Sequence, residues 1–137
     1  MGGLPLKQKK YLLDTHALVF WVEEQEVSPD FIDFFDRESE KGKVLISSAS
    51  LWEIALLKKK GRLQIKDIHQ WKNDLLSYSN LKMIDPTASD MIDSTLLPDF
   101  HNDPFDRLLI AQAINNKAIL VSRDKKISDY TVETFWK

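Results

Sequence analysis

The chain has 137 residues, 43% of them hydrophobic and 29% charged, which is the composition of one ordinary folded domain and not of a disordered or membrane chain. A formal charge of −2 excludes a protein that coats nucleic acid through overall positive charge, so any such contact must be local. The absence of cysteine excludes a disulfide framework, a thiolate nucleophile and a soft metal site, and makes a reducing cytoplasm the expected compartment.

Residues 1–8 read as a leader without the apolar core or cleavage site of a secretory signal, and 9–137 as a single domain. Tyr11-Leu12-Leu13 is a short apolar run and is expected as a buried first strand, with Asp14 at its C-terminal edge. Ala17 to Val22 should open a helix; this longest apolar run falls far short of the ~18–20 residues that span a membrane, so no membrane segment is expected. Ser28-Pro29 looks like an N-cap with proline at the first helical position, starting a helix through Phe31, Ile32, Phe34 and Phe35. Val44-Leu45-Ile46 is the next strand. Serines 47, 48 and 50 each offer a cap for the helix that carries Trp52 and Glu53 and stops near Gly61. Ile68 to Tyr78 has helical spacing, Leu81 to Ile84 suits a short strand, and Asp85-Pro86 and Asp103-Pro104 each signal a helix start. Ala118 to Val121 is the last buried strand and leads into Ser122-Arg123-Asp124.

Short apolar strands separated by helical segments argue for an α/β fold, a mainly parallel sheet covered by helices on both faces. Ligands in such folds sit at the C-terminal ends of the strands, where Asp14 and Asp124 fall. Glu53 is the only charged residue from Val44 through Leu57, and a carboxylate in such surroundings needs a proton or a positive partner. A capping box with Ser50, in the S-x-x-E spacing, explains it equally well. Asp103 suffices as a helix cap, which leaves Asp106 beside it with no structural duty, while an outer role for Asp103 at a metal stays open. Asp14 or Asp124 alone would be an ordinary turn residue. Together the four acids can converge on one crevice.

Convergence would have an electrostatic consequence. Two carboxylates about 4 Å apart repel by roughly 4 kcal/mol at an effective dielectric of ~20, so four require cations or protons. An all-oxygen set suits Mg²⁺ or Mn²⁺, which can activate water and stabilise charge on a phosphate. Asp85 is expected to be a cap. His16, His69 and His101 are dispersed and form no H-x-x-x-H pair, although His101 is near enough to Asp103 to touch the site. The four tryptophans suit core or interface packing better than base stacking. Local phosphate contacts would come from Lys58 with Lys59, Lys60 and Arg62, from Lys7 to Lys10, from Arg107, or from Arg123 with Lys125 and Lys126. The lysines before Gly61 also complement a helix C-terminus.

Four segments occur in the order found in PIN-domain proteins: Leu12-Leu13-Asp14-Thr15-His16-Ala17-Leu18, Ser50-Leu51-Trp52-Glu53-Ile54-Ala55, Asp103-Pro104-Phe105-Asp106-Arg107-Leu108-Leu109-Ile110-Ala111-Gln112-Ala113 and Val121-Ser122-Arg123-Asp124. The chain thus resembles the PIN-domain family, specifically the VapC-like ribonuclease toxins of toxin–antitoxin systems. The resemblance implies a three-layer α/β/α sandwich and Mg²⁺- or Mn²⁺-dependent endonuclease activity on RNA. It makes Asp14, Glu53, Asp106 and Asp124 the acidic quartet, with Thr15 and Ser122 as polar positions beside it. It further implies a homodimer and a separate antitoxin protein. The 1–8 leader and the tail after Tyr130 carry no family signature. Two readings compete: a PIN-type nuclease acting on DNA or structured nucleic acid, and a non-catalytic protein-binding module.

Overall fold

The computed structural model describes residues 9–137, and the leader expected over 1–8 lies outside the described residues. Five strands, β1 (Tyr11–Leu13), β2 (Val44–Ser47), β3 (Lys82–Ile84), β4 (Ile119–Val121) and β5 (Thr134–Phe135), form one sheet in the order β3-β2-β1-β4-β5. Every neighbouring pair is parallel. Six helices, α1 (Thr15–Glu23), α2 (Pro29–Glu40), α3 (Ser48–Lys59), α4 (Ile68–Tyr78), α5 (Ala88–Leu96) and α6 (Pro104–Asn115), lie between the strands in sequence. Parallel neighbours need such crossovers.

The strands alternate between two cores. Tyr11, Leu13, Val44, Ile46, Ile119 and Val121 pack with Phe31 and Phe35 of α2, Ile54 of α3 and Leu75 of α4. Leu12, Leu45 and Leu120 turn the other way, onto Leu109, Ile110 and Ala113 of α6 with Ile127 and Tyr130. Successive strand side chains point to opposite faces, so apolar runs without a polar partner are what a sheet buried on both sides requires. The three-layer α/β/α architecture follows. Leu12, Leu13, Ile46 and Leu120 are fully buried, and truncating any of them to alanine should cost ~2–5 kcal/mol.

Caps set the helix starts, and two of them, those of α1 and α5, differ from expectation. α1 begins at Thr15 because Asp14 is its cap, with Oδ1 accepting from the Ala17 amide at 2.7 Å. Of the three candidate serines, Ser47 caps α3, its Oγ accepting from Ala49 N at 3.1 Å. Ser50 therefore lies inside the helix, and the capping box with Glu53 that its spacing also allowed does not form. Asp85 is not the cap of α5. Thr87 takes that role because Asp90 reciprocates, with Thr87 Oγ1 accepting from Asp90 N at 3.0 Å and Asp90 Oδ2 from Thr87 N at 2.8 Å. A reciprocal pair satisfies two orphan donors where Asp85 could satisfy one. Ser28 and Asp103 cap α2 and α6 as read from the sequence.

The tail after Tyr130 supplies β5, whose Phe135 packs at 5.2 Å from Phe34 and 5.6 Å from Tyr11, between ring centroids. Trp136 follows against Phe31 at 4.8 Å. This aromatic cluster covers the end of the sheet beside β4 and gives the tail a structural duty.

Candidate active site

Asp14 and Asp124 sit where β1 and β4 end, and the two strands are joined there by Asp14 N donating to Val121 O at 3.1 Å. Asp14 is buried, which pushes its carboxyl pKa up; the Ser122 hydroxyl, the Ala17 amide and the charge of His16 oppose that rise, and the charge of Asp124 adds to it. Ser122 is placed between the two acids, since its Oγ also accepts from Asp124 N at 3.1 Å. A hydroxyl both donates and accepts, which is what this position asks of it.

α3 brings Glu53 to the same edge. Its carboxyl pKa is raised first by burial, with Asp103 and Asp14 adding to the rise, while the Thr15 hydroxyl and His16 hold it down. Thr15 Oγ1 also lies 3.1 Å from Ser50 Oγ, so the start of α1 and the first turns of α3 meet through hydroxyls. Glu53 Oε1 is buried and has no hydrogen-bond partner among the described residues. An unsatisfied buried carboxylate oxygen is costly.

α6 supplies Asp106 in its first turn. Asp103, the cap, accepts through Oδ1 from Phe105 N at 2.8 Å and Asp106 N at 3.1 Å, and its charge reaches both Asp106 and Glu53. The Asp106 pKa is pushed up to about 7, first by burial, then by Asp103 and Asp14, with Glu53 adding and His101 opposing. His101 Nε2 lies 2.9 Å from Asp106 Oδ2 and 2.9 Å from Asp124 Oδ2. Asp14, Glu53 and Asp106 thus stand within one another's field, and Asp124 joins them through its charge on Asp14 and through His101, with Thr15, Asp103 and Ser122 beside them. His101, which the sequence placed only near Asp103, stands between two of the four.

The expected cationic contacts fare differently. Arg107, expected as a phosphate contact, is turned inward with its side chain 11% exposed, and donates to the carbonyls of Ser94, Leu97, Pro98 and His101 at 2.9–3.1 Å. Its guanidinium is occupied by backbone. Arg123 stacks over Phe20 at 4.7 Å and Trp136 at 5.7 Å, and its charge lies 3.7 Å from Glu26. Lys58 stands in the last turn of α3, part-buried and in no ion pair among the described residues. Of the tryptophans, Trp21 is core, but Trp52 is 63% exposed, in edge contact with Phe105 at 5.1 Å.

Two open clefts lie away from the acids. One of about 460 Å³ opens beside Trp21 and Trp71, and one of about 480 Å³ beside Ile114 and Val132. A cleft of about 370 Å³, lined by Ser94, Asp99, His101, Asn102 and Arg107, meets the cluster through His101.

The PIN domain description matches residues 11–133 of this sequence, nearly its whole length. The chain belongs to the PIN domain family. No curated protein matches it in sequence. Solved structures that share the fold of this PIN domain include the following three. VapBC2 from Rickettsia felis, bound to a DNA fragment from its promoter, is 22% identical with a TM-score of 0.68, over 91% of this chain and 96% of that one. A toxin–antitoxin complex from Klebsiella pneumoniae is 16% identical, with a TM-score of 0.65 over 93% and 97%. FitAcB from Neisseria gonorrhoeae is 15% identical, with a TM-score of 0.62 over 92% and 96%.

The PIN fold implies a divalent metal, and the residues present fit one. The four acids offer hard oxygen donors, the kind that Mg²⁺ and Mn²⁺ take. The orphaned Glu53 Oε1 faces a deficit that a cation removes.

Proposed function

We propose that this PIN domain is a metal-dependent endoribonuclease, the toxin of a toxin–antitoxin pair, with Asp14, Glu53, Asp106 and Asp124 as its metal ligands. The observation that carries the reading is the convergence of four carboxylates from β1, α3, α6 and the β4 end, two of them with an elevated pKa caused first by burial, and Asp106 pushed up to about 7. Such a cluster is poorly compatible with the charged state unless it is built for a cation. Bound there, Mg²⁺ or Mn²⁺ would supply an activated water and neutralise charge developing on the phosphate.

The chain's own groups do the rest. Asp14 is locked by the Ala17 amide and the Ser122 hydroxyl, Asp106 and Asp124 are held by His101, and Thr15 restrains Glu53. Preorganised charge of this kind acts without having to reorient during reaction. Phosphate contacts are assigned to Lys58 and Arg123 at the rim, with Arg107 withdrawn from that role. Complexes with an antitoxin among the structurally similar proteins support a separate inhibitory partner. A homodimer is supported by the apolar surface that α5 presents through Met91, Ile92 and Leu96.

Matched RNA and DNA strands of one sequence, incubated side by side with Mn²⁺, test the substrate. Cleavage of the RNA alone is expected, because a ribonuclease can read the 2′-hydroxyl. Equal cleavage of both, or of DNA alone, would overturn the ribonuclease assignment.

A further inference from the structure

His101 stands between Asp106 and Asp124, and its ring protons can be placed by the groups around it. The Asp103 backbone N–H donates to Nδ1 at 3.2 Å, so Nδ1 presents a lone pair and carries no hydrogen. In the neutral ring the hydrogen then resides on Nε2, which lies 2.9 Å from both Asp106 Oδ2 and Asp124 Oδ2. Nε2 is therefore a donor to two carboxylates. A metal-ligating histidine has the opposite arrangement, with the ligating nitrogen bare and the other nitrogen donating to a carbonyl or carboxylate. The three groups are close enough to be mistaken for a His-Asp-Asp ligand set, and the Asp103 amide argues against that.

The loop that delivers His101 is held unusually tightly. Arg107 of α6 donates through Nε to Ser94 O, through Nη1 to Pro98 O and His101 O, and through Nη2 to Leu97 O. Tyr130 joins Arg107 at the Pro98 carbonyl: its hydroxyl accepts from Phe100 N at 3.1 Å and His101 N at 2.9 Å, and donates to Pro98 O at 2.7 Å. Both side chains are largely buried, with Tyr130 6% exposed. A loop with its backbone polar groups so satisfied is fixed in place.

We propose that His101, set by the Arg107–Tyr130 clamp, is the positioning residue of the acid cluster: its Nε2–H is shared by Asp106 and Asp124, holding one oxygen of each, while Asp124 Oδ1 is fixed in turn by the Lys126 amide at 2.9 Å, so that both carboxylates are oriented for the metal. The proposal rests on the acids being metal ligands, as argued above. It makes His101 an outer partner of the metal, never a ligand, and gives Arg107 a role through the loop in place of a phosphate contact.

Titration of Mn²⁺ into wild type, His101→Ala, His101→Gln and Tyr130→Phe, each first checked for a cooperative melt, tests the proposal without RNA. His101→Ala should weaken Mn²⁺ binding by about 10–100-fold, the usual loss for an outer partner. His101→Gln should recover most of it, because the amide NH₂ can donate where Nε2–H did. Tyr130→Phe should weaken binding several-fold with the imidazole still present. Pulsed EPR of the Mn²⁺-loaded wild type should show no nitrogen coupling of the strength given by a directly bound imidazole. Such coupling, or wild-type affinity in folded His101→Ala, would overturn the proposal while leaving the nuclease reading intact. Should His101→Ala fail to fold, the EPR result and His101→Gln decide: Gln binding ten-fold or more weaker would sink the donor role. Wild type that binds no Mn²⁺ would overturn both readings.

Discussion

Asp106 is a carboxylate whose neighbours disfavour its charge, and that has a consequence for stability. With a folded pKa of about 7 against an ordinary value of 3.8, the folded chain binds more protons than the unfolded chain across that interval. Stability of the metal-free protein should therefore fall as pH rises from about 4 to 7, since stability rises with pH only where the unfolded state binds more protons. Asp14 and Glu53, also raised, act in the same direction. Melting curves in chelator at pH 5 and pH 8 should show the lower midpoint at pH 8. Asp106→Asn should shrink that difference and raise the pH 8 midpoint, while lowering metal-dependent cleavage by at least ~100-fold. An Asp106→Asn protein less stable than wild type at pH 8 would show that the cluster is not electrostatically strained. The four acids were legible as candidates only as a set, since Asp14 or Asp124 alone reads as a turn residue and Glu53 alone as half of a capping box. Which explanation held for Glu53 was not legible, since serines 47, 48 and 50 all fit a cap and only the path from β2 into α3 selects Ser47. Arg107 was misread for a related reason. An arginine next to a candidate ligand looks like a phosphate contact until the course of residues 94–101 shows four carbonyls waiting for it.

At the scale of elements, β1, β2 and β4 were readable from apolar runs without alternation, because strands buried on both faces tolerate no polar side. β5 was not: Thr134–Phe135 is two residues long and holds its place through Phe34, Tyr11 and the ladder to β4, none of them local. α6 carries an anomaly of its own. Gln112 is fully buried, and neither Nε2 nor Oε1 has a hydrogen-bond partner among the described residues. An amide buried without partners costs on the order of 1–3 kcal/mol, so Gln112→Met, similar in volume, should stabilise the chain by about 1 kcal/mol or more. A denaturant midpoint that rises with an unchanged m-value would show it. A fall would mean that the amide is satisfied by a group such as a buried water.

For the whole molecule, the alternation of apolar strands with helical segments gave the layer architecture, but strand order is a property of long-range packing and no local pattern encodes it. The net charge of −2 would repel the RNA proposed as substrate, so on that reading binding relies on local cations and on metal at the acids. The exposed apolar residues of α5 imply a second contact. Leu96, 75% exposed, contributes little to the monomer fold, so Leu96→Glu should convert the proposed dimer to monomer in sedimentation without lowering the monomer's melting point much. A wild type that sediments as a monomer at micromolar concentration would remove the dimer from the account.

The most direct test of the central claim is cleavage of mixed cellular RNA in Mn²⁺ or Mg²⁺, with a chelated control and an Asp14→Asn variant run in parallel. Fragments should form from the wild type with metal, and none in either control. Cleavage that persists in both controls, or its absence from a wild type that direct titration shows to bind no metal, would contradict it.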